Sequence, residues 1–298
     1  MSARCCGTCC PPDHSWGGAP ANFAYHAHAL GANAHVITRV GQDRYGHEVI
    51  LRFQQLGLPS ATVQVDETAP TGTAKVELSG NGLAHFTIQE NVAWDGLAAA
   101  PEAVAAARAA DAICFGSLAQ RSKTSRRTIQ QLLAAAPPDA LRVFDGNLRQ
   151  HYYARDVIEE SLRFASVVKL NDDELPTVAG MFNLTGSAQS QIERLAQTFG
   201  LRVVALTRGA KGSLLYQKEK NSNEVRWSDC PSRPVKVVDT VGAGDSFTAA
   251  LVLGLLRKMD LDEVNTIAND VAGYVCSQTG ATPALPEEFA RRFLVTPR

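Results

Sequence analysis

The 298-residue chain has an even charge balance, with 29 basic and 30 acidic residues and a formal net charge of -1. It therefore lacks the basic excess that nucleic acid or an anionic membrane attracts, and we expect neither as a partner. Hydrophobic residues make up 45% of the chain, which is ample for a buried core. No run approaches about 18 apolar residues and no secretory signal is recognisable, so we expect a cytoplasmic protein.

From about residue 19, amphipathic helical stretches alternate with short apolar runs. This alternation is typical of repeated βα units around a parallel sheet. The apolar runs predict buried strands at 35–40, 112–115, 142–145, 166–170 and 202–207. The sequence therefore predicts an α/β fold.

Between residues 62 and 88 the pattern changes to an alternation of polar and apolar residues. The segments 73–78 and 83–88 flank the sequence SGNG at 79–82, which is typical of a hairpin turn. We expect a small β-sheet here that projects from the α/β body.

The stretch DTVGAGDSF at 239–247 is the most informative motif of the chain. It follows a β-like run at 235–238 and leads into a segment with helical spacing of apolar residues. Such a helix N-terminus after a glycine turn attracts an anion, because its free N–H groups and the helix dipole favour negative charge. Asp245 would repel a phosphate, so we expect it to accept a proton from a hydroxyl beside that anion. A simple Asp-capped helix is the alternative interpretation.

Two motifs together resemble those of a known family. Residues 239–251 resemble the second signature of the PfkB, or ribokinase-like, carbohydrate kinases, and GGAPANFA at 17–24, with Gly31 and Gly41, resembles the first. The resemblance extends from Gly17 to about Pro283. It implies a single kinase domain over residues 1–298, with a three-layer α/β/α (Rossmann-like), mostly parallel sheet.

The resemblance also implies the chemistry, which is phosphoryl transfer from ATP to an alcohol group with Mg²⁺, and K⁺ as a further candidate ion. By this resemblance Gly242, Ala243 and Gly244 form an anion hole for the phosphoryl group, and Asp245 is the catalytic base. The partners are then a small-molecule sugar and ATP.

Two further segments resemble the nucleotide side of these kinases. KLNDDE at 169–174 matches the family's N-x-x-E motif, which implies that Asn171 and Glu174 organise Mg²⁺ and phosphate, largely through water. TRGAKG at 207–212 resembles the turn that meets ATP, with Thr207, Gly209 and Gly212 as candidate contacts. By themselves the first segment would be a helix N-cap with an acidic first turn and the second a hairpin turn.

The segment from Asn269 to Gly280 fits a helix that lines the adenine pocket, so Asn269 is also a candidate nucleotide contact. The seven histidines show no metal-ligand spacing. His26 and His28 are two apart on a predicted helix and face different ways, and we interpret them as structural or surface groups.

On the sugar side, the resemblance implies that Gly18 and Asn22 contact sugar hydroxyls. DGNLR at 145–149 resembles a D-x-N-x-R element of the fructokinase and ketodeoxygluconate kinase branches, which places Asn147 and Arg149 near substrate and phosphate. An Asx-type turn is the alternative for this element.

HFTIQENVAWD at 85–95 resembles bacterial fructokinases, in which the Phe lies near the sugar, although Phe86 is as readily explained as lid core. Together with the form of the first signature, this favours fructose over ribose, adenosine or ketodeoxygluconate. In the family a small sheet covers the sugar and excludes water, and residues 62–90 fit that lid. An exposed edge of the lid sheet could also pair two subunits as a homodimer.

The first residues do not fit the family pattern. A family member opens with a core strand that ends in a sugar-binding Asp, whereas residues 1–16 read MSARCCGTCCPPDHSW. The cysteines could ligate zinc, but adjacent pairs with no second cluster fit that geometry poorly.

A genetic explanation for this segment is also open. Read from the third base of each preceding codon, and with permitted synonymous codons, residues 2–18 begin Gly-Glu-Val-Leu-Trp-Asp, which resembles the missing strand. We hypothesise that residues 2–18 are translated out of frame, which would explain why residues 1–16 are anomalous. A chain impaired in this way could bind sugar or nucleotide without turning it over.

Overall fold

The computed structural model of the chain describes residues 6–9, 14–78, 84–219 and 224–294. The strands are β1 Cys6–Cys9, β2 His14–Gly17, β3 Thr38–Gly41, β4 Val63–Asp66, β5 Thr73–Leu78, β6 Ala84–Ile88, β7 Ala112–Phe115, β8 Leu141–Asp145, β9 Val167–Asn171, β10 Val203–Thr207, β11 Ser213–Lys218 and β12 Val225–Cys230. The helices are α1 Ala19–Ala29, α2 Arg44–Gln55, α3 Pro101–Arg108, α4 Lys123–Ala135, α5 Arg155–Phe164, α6 Glu174–Met181, α7 Ala188–Phe199, α8 Ala243–Leu256, α9 Leu261–Cys276 and α10 Glu287–Arg291.

The main sheet has six strands in the order β12-β11-β10-β9-β8-β7. Strands β7 to β10 pair in parallel, and β10–β11 and β11–β12 pair antiparallel. These four parallel strands lie where the apolar runs predicted them, to within about one residue, because strands covered on both faces are apolar throughout.

Helices cover both faces of this sheet. Successive strand residues point to opposite faces, so Cys114 and Val143 pack with α1, α2, α8 and α9, whereas Ile113 and Phe144 pack with α3 to α7. The predicted three-layer α/β/α architecture is confirmed. In the described part of the chain, no helix is both long and apolar enough to cross a membrane.

Two strand predictions are wrong in detail. The predicted strand at 35–40 begins only at Thr38, and as β3 it pairs in parallel with β4 in a separate two-stranded sheet. The β-like run at 235–238 forms no strand, and Val235, Val237 and Val238 are exposed. The strand prediction for this run rested on its apolar composition alone. In the described part of the chain, the run pairs with no neighbouring strand.

The small sheet has the order β2-β1-β5-β6. Strands β5 and β6 pair antiparallel, as the predicted hairpin requires, and the turn at 79–82 lies outside the described residues. Because β4 pairs with β3 instead, this sheet takes in less of 62–90 than we expected. Strands β1 and β2 join it through β5, so the described N-terminal residues contribute to the small sheet and not to the main one.

Gly212 and Gly200 offer a matched pair of tests for backbone constraint. Both have positive φ, at 84° and 69°. A Cβ on Gly212 would lie 1.9 Å from the Cys230 carbonyl oxygen, whereas one on Gly200 would meet nothing within 4 Å. We therefore expect Gly200→Ala to lower the free energy of unfolding by about 1 kcal/mol and Gly212→Ala by at least about 2 kcal/mol more. Urea denaturation measures both, and equal losses would contradict the steric argument.

Candidate active site

Asp245 lies in the first turn of α8, where it meets α1. Helix α8 begins at Ala243 after Gly242, whose φ of 82° is left-handed. The Asn22 side chain in α1 donates a hydrogen bond from Nδ2 to Asp245 Oδ2 at 2.8 Å, and Asn22 is buried. Residues from the two predicted signatures, 223 positions apart, are thus in direct contact.

The turn before α8 is braced from two sides. The Asp239 carboxylate accepts hydrogen bonds from the Val241 and Gly280 N–H groups at 3.0 and 3.1 Å. A Cβ on Gly242 would lie 2.4 Å from the Ala281 carbonyl oxygen, so only glycine fits this close approach. The same carbonyl lies 2.9 Å from His26 Nε2 in α1.

His26 is completely buried, and this burial lowers its pKa to about 4. The imidazole is therefore neutral at pH 7, and Nε2–H donates to the Ala281 carbonyl. This contact agrees with our interpretation of His26 as a structural group.

The turn presents a helix N-terminus that can hold an anion. The N–H groups of the first helical turn have no acceptor within the helix, and the helix dipole adds positive potential there. Ala243 N–H makes only a long bond, 3.4 Å, to the Thr240 carbonyl. The role of Gly242, Ala243 and Gly244 as an anion hole beside Asp245 stays a prediction.

Two charged residues that the sequence analysis did not assign lie beneath this turn. Lys169 Nζ in β9 is 3.1 Å from Asp145 Oδ1 at the end of β8, and both side chains are buried. Thr248 Oγ1 in α8 lies 2.8 Å from Asp145 Oδ2. The sequence signal was available, because Asp145 and Lys169 are charged residues near the carboxyl ends of otherwise apolar parallel strands, where such sheets bind ligands.

These surroundings change the acidity of Asp245. Burial, and secondly the negative charge of Asp145, raise its pKa to about 6, against the lowering effects of Asn22, Lys169 and Arg149. A carboxylate of this kind is mostly ionised at pH 7 and accepts a proton more readily than an ordinary Asp.

A cleft opens over Asp245. Its walls include apolar side chains of α1 and β7 and a few polar ones, among them Phe23, Cys114, Phe115, Asp145, Asn147 and Asp245. Such a mostly apolar pocket with a few convergent polar groups is typical of small-molecule sites.

The predicted sugar-side residues lie at different distances from this cleft. Gly18 immediately precedes α1, and Asn147 lines the cleft with a φ of 37°. Arg149 is exposed and acts on Asp245 through its charge. Phe86 lies in β6, and its side chain is outside the described part of the structure, so its contact with a sugar stays a prediction.

Asn171 and Glu174 form a capping box at the start of α6. Asn171 Oδ1 accepts from the Glu174 N–H at 2.8 Å, and Glu174 Oε2 accepts from the Asn171 N–H at 2.9 Å. Glu174 Oε1 also accepts from the Leu148 N–H at 2.9 Å, which ties α6 to the loop after β8. The side chains therefore make the contacts of the capping alternative, and each of these oxygens keeps a lone pair that the hydrogen bonds leave free.

The other predicted nucleotide contacts lie along the same sheet edge. Thr207 is the register partner of Asn171, and Gly209 and Gly212 bound the short turn between β10 and β11. Asn269 Nδ2 instead donates to Ser213 Oγ at 2.6 Å and to the Asn265 carbonyl at 2.8 Å, so this amide fastens α9 to β11. Within the described ranges, no group of three or more His, Cys, Asp or Glu side chains is arranged to hold a metal ion.

Comparison with known proteins agrees with this geometry. The pfkB family carbohydrate kinase model matches residues 12–288, and the chain therefore belongs to this family of phosphotransferases with an alcohol group as acceptor. The chain is 30% identical to the fructokinase of Klebsiella pneumoniae over 91% of this chain and 88% of that protein. It is 31% identical to probable fructokinase-4 of Arabidopsis thaliana, over 91% and 85%.

Solved structures show the same fold. An uncharacterized sugar kinase, PH1459 of Pyrococcus horikoshii, superposes with a TM-score of 0.82 at 26% identity, covering 99% of this chain and 98% of that one. Fructokinase from Vibrio cholerae, with fructose, ADP and calcium bound, superposes with a TM-score of 0.80 at 22% identity over the same shares.

The raised pKa of Asp245 predicts how stability depends on pH. Its ordinary value is 3.8 and its folded value about 6, so the folded chain binds a proton more tightly than the unfolded chain. The contribution of the protonated Asp245 to the free energy of unfolding is fully present below about pH 4. It is lost as the pH rises through about 6, where the folded chain releases the proton. Because the ionised form is disfavoured by about two pKa units, Asp245→Asn should stabilise the fold by up to about 3 kcal/mol at pH 7.5.

Chemical denaturation of both chains at pH 5 and pH 7.5 measures this effect. We expect the advantage of Asp245→Asn to be smaller at pH 5, where the folded wild type is largely protonated at this position. The same advantage at both values would contradict the assignment of the shift to Asp245.

Proposed function

We propose that this chain is a fructokinase that transfers the γ-phosphoryl group of ATP to the 6-hydroxyl of D-fructose. The observation that carries the proposal is the partly buried Asp245 carboxylate, held by Asn22, at a helix N-terminus that faces the cleft. A base beside an anion site is the arrangement that phosphoryl transfer to a hydroxyl needs.

Each element of this site then has a task. Asp245 accepts the proton of the acceptor hydroxyl, and Asn22 holds the carboxylate toward the cleft. The α8 N-terminus, with Gly242, Ala243 and Gly244, stabilises the negative charge on the transferred group. ATP supplies the phosphoryl group, and Mg²⁺ neutralises its phosphates, with Asn171 and Glu174 holding the ion through water.

The nucleotide and ion assignments have support from relatives. PH1459 of Pyrococcus horikoshii has been solved with ATP, and a ribokinase-like protein of E. coli with ATP and Mg²⁺. A Vibrio cholerae fructokinase variant has been solved with fructose, ADP and potassium, which supports K⁺ as a further ion. We propose Thr207, Gly209, Gly212 and Asn269 as the residues nearest the nucleotide.

Fructose is favoured over other acceptors by the curated relatives named as fructokinases. Gly18, Asn22, Phe86, Asn147 and Arg149 are the proposed sugar contacts. A kinase for 2-keto-3-deoxygluconate, ribose or a nucleoside is the second candidate, since a nucleoside kinase superposes with a TM-score of 0.77. We also propose that the enzyme is cytoplasmic. Its small sheet covers the sugar, and the same sheet pairs two subunits.

The central test is consumption of ATP by the purified protein with Mg²⁺ and each of fructose, ribose, ketodeoxygluconate and adenosine. We expect turnover with fructose, and we expect Asp245→Asn to lower kcat by about 10² to 10⁴ because the proton acceptor is lost. Turnover only with another acceptor would reject fructose. Near-normal turnover by the variant would remove Asp245 from its role.

The N-terminal segment has its own hypothesis and test. We propose that residues 2–18 are translated out of frame, and the pairing of β1 and β2 with the small sheet supports this, because neither takes the place of a core strand. Sequencing of the DNA is the test. We predict that the codons spell the expected strand when they are read in the shifted frame. If they do, the corrected chain should bind fructose more tightly and melt at a higher temperature; codons that do not spell it would end the hypothesis.

A further inference from the structure

Lys169 is a buried cation for which the proposed reaction has so far no use. Its side chain is 8% exposed, and its ammonium is 3.1 Å from Asp145 Oδ1. Long charged side chains are rarely buried unless they are paired, because removing a charge from water is costly. Burying the ammonium at this position therefore lowers the stability of the fold unless its partners compensate.

The ammonium lies against the turn that carries Asp245. A Cβ built on Gly244 would be 3.1 Å from Lys169 Nζ, so the group touches the first turn of α8 from below. Asp145 is bonded to Lys169 through one oxygen and to Thr248 through the other, at 2.8 Å. This series of contacts connects β9, β8 and α8 at the level of the candidate base.

Charged and titratable groups face Asp245 from several elements. Asp145 lies at the end of β8, Arg149 on the loop after β8, and Lys169 on β9. From β7 comes the Cys114 thiol, which stays neutral because burial, together with the carboxylates of Asp145 and Asp245, raises its pKa well above its usual value.

Two further neighbours, one of Asp245 and one of Lys169, complete the set of groups around this pair of charges. Asn22 from α1 is uncharged, and Glu174 faces Lys169 from the start of α6. Burial alone lowers the pKa of Lys169, but the carboxylates of Asp145, Glu174 and Asp245 outweigh it, and the net pKa is raised. Lys169 is thus a stable ammonium among these carboxylates.

We propose that Lys169, through its pair with Asp145, is a positioning residue for the candidate base: it offsets the negative charge beside Asp245 and holds the start of α8 against β8 and β9. This inference rests on the proposed function, in which Asp245 is the base. Without the ammonium, Asp145 and Asp245 would repel each other in a site where water screens them little. Asp245 would then be ionised only at higher pH.

The first test is the pH dependence of kcat/KM with fructose and ATP. Lys169→Met removes the charge and keeps most of the volume, and we expect the acid limb of the profile to move upward by about one pH unit. Asp145→Asn removes a like charge, so its limb should move downward by a similar amount. Lys123→Met, at an exposed lysine at the start of α4, is the control and should leave the profile unchanged. An acid limb that stays in place in an active Lys169→Met enzyme would overturn the inference.

The second test needs neither ATP nor sugar. Melting temperatures are compared for the wild type, Asp245→Asn, Lys169→Met and the double variant at pH 7.5. We expect Asp245→Asn to raise the melting temperature more in the Lys169→Met background, because the ionised carboxylate is less favourable there. An equal rise in both backgrounds means that the two residues do not interact, and the inference is wrong.

Folding failure and failure of the proposed function remain distinguishable. If Lys169→Met does not fold, the same comparison is made in the Asp145→Asn background, where Lys169→Met no longer leaves the Asp145 carboxylate without its partner. A wild-type chain that phosphorylates no acceptor rejects the proposed function, whatever the melting temperatures show. A fructokinase that depends on Asp245 but shows no coupling to Lys169 rejects this inference alone.

Discussion

The site depends on holding two carboxylates, those of Asp145 and Asp245, close together. Asp245 and Asp145 both lie within the region where α8 meets the carboxyl ends of β8 and β9; Asp145 is buried and Asp245 is partly buried. Like charges repel strongly in such surroundings. Two contacts offset this repulsion: the ion pair of Asp145 with Lys169, and the hydrogen bond from Asn22 to Asp245. The strand ends, α1 and α8 must hold their relative positions for these contacts to exist.

The surrounding fold provides this rigidity through backbone contacts as much as through side chains. The glycine turn before α8 rests on the backbone at Ala281, and that backbone is in turn held by His26 from α1. Helix α1 therefore supports the site at two places. Asn22 donates a hydrogen bond to Asp245, and His26 holds the backbone on which the turn rests. In the proposed reaction, a turn that is fixed in advance means that the helix N-terminus would need no rearrangement when negative charge develops beside it.

In the proposed function, stability and function oppose each other at Asp245. Burial raises the pKa of the carboxyl, which makes it a better proton acceptor, and the same burial makes its ionised form unfavourable for folding. Asn171 and Glu174 show the opposite case. Their side chains complete a capping box and hold Leu148, so they stabilise the fold directly, and any role with a metal uses only the lone pairs that this bonding leaves.

The sequence by itself determined the class of fold, the parallel strands from 112 to 207 and the glycine turn, and it predicted Asp245 and Asn22 as residues of one site. It could do so because buried strands and glycine turns depend on local composition and spacing, and because two signatures of the chain resemble one family. Only the tertiary structure decided that the run at 235–238 forms no strand, that β4 pairs with β3, and that the Asn269 amide is engaged with Ser213. The sequence showed two charged residues, Asp145 and Lys169, near strand ends, but it could not show that they pair beneath Asp245. Their proximity arises from strand order and helix packing and not from their spacing along the chain.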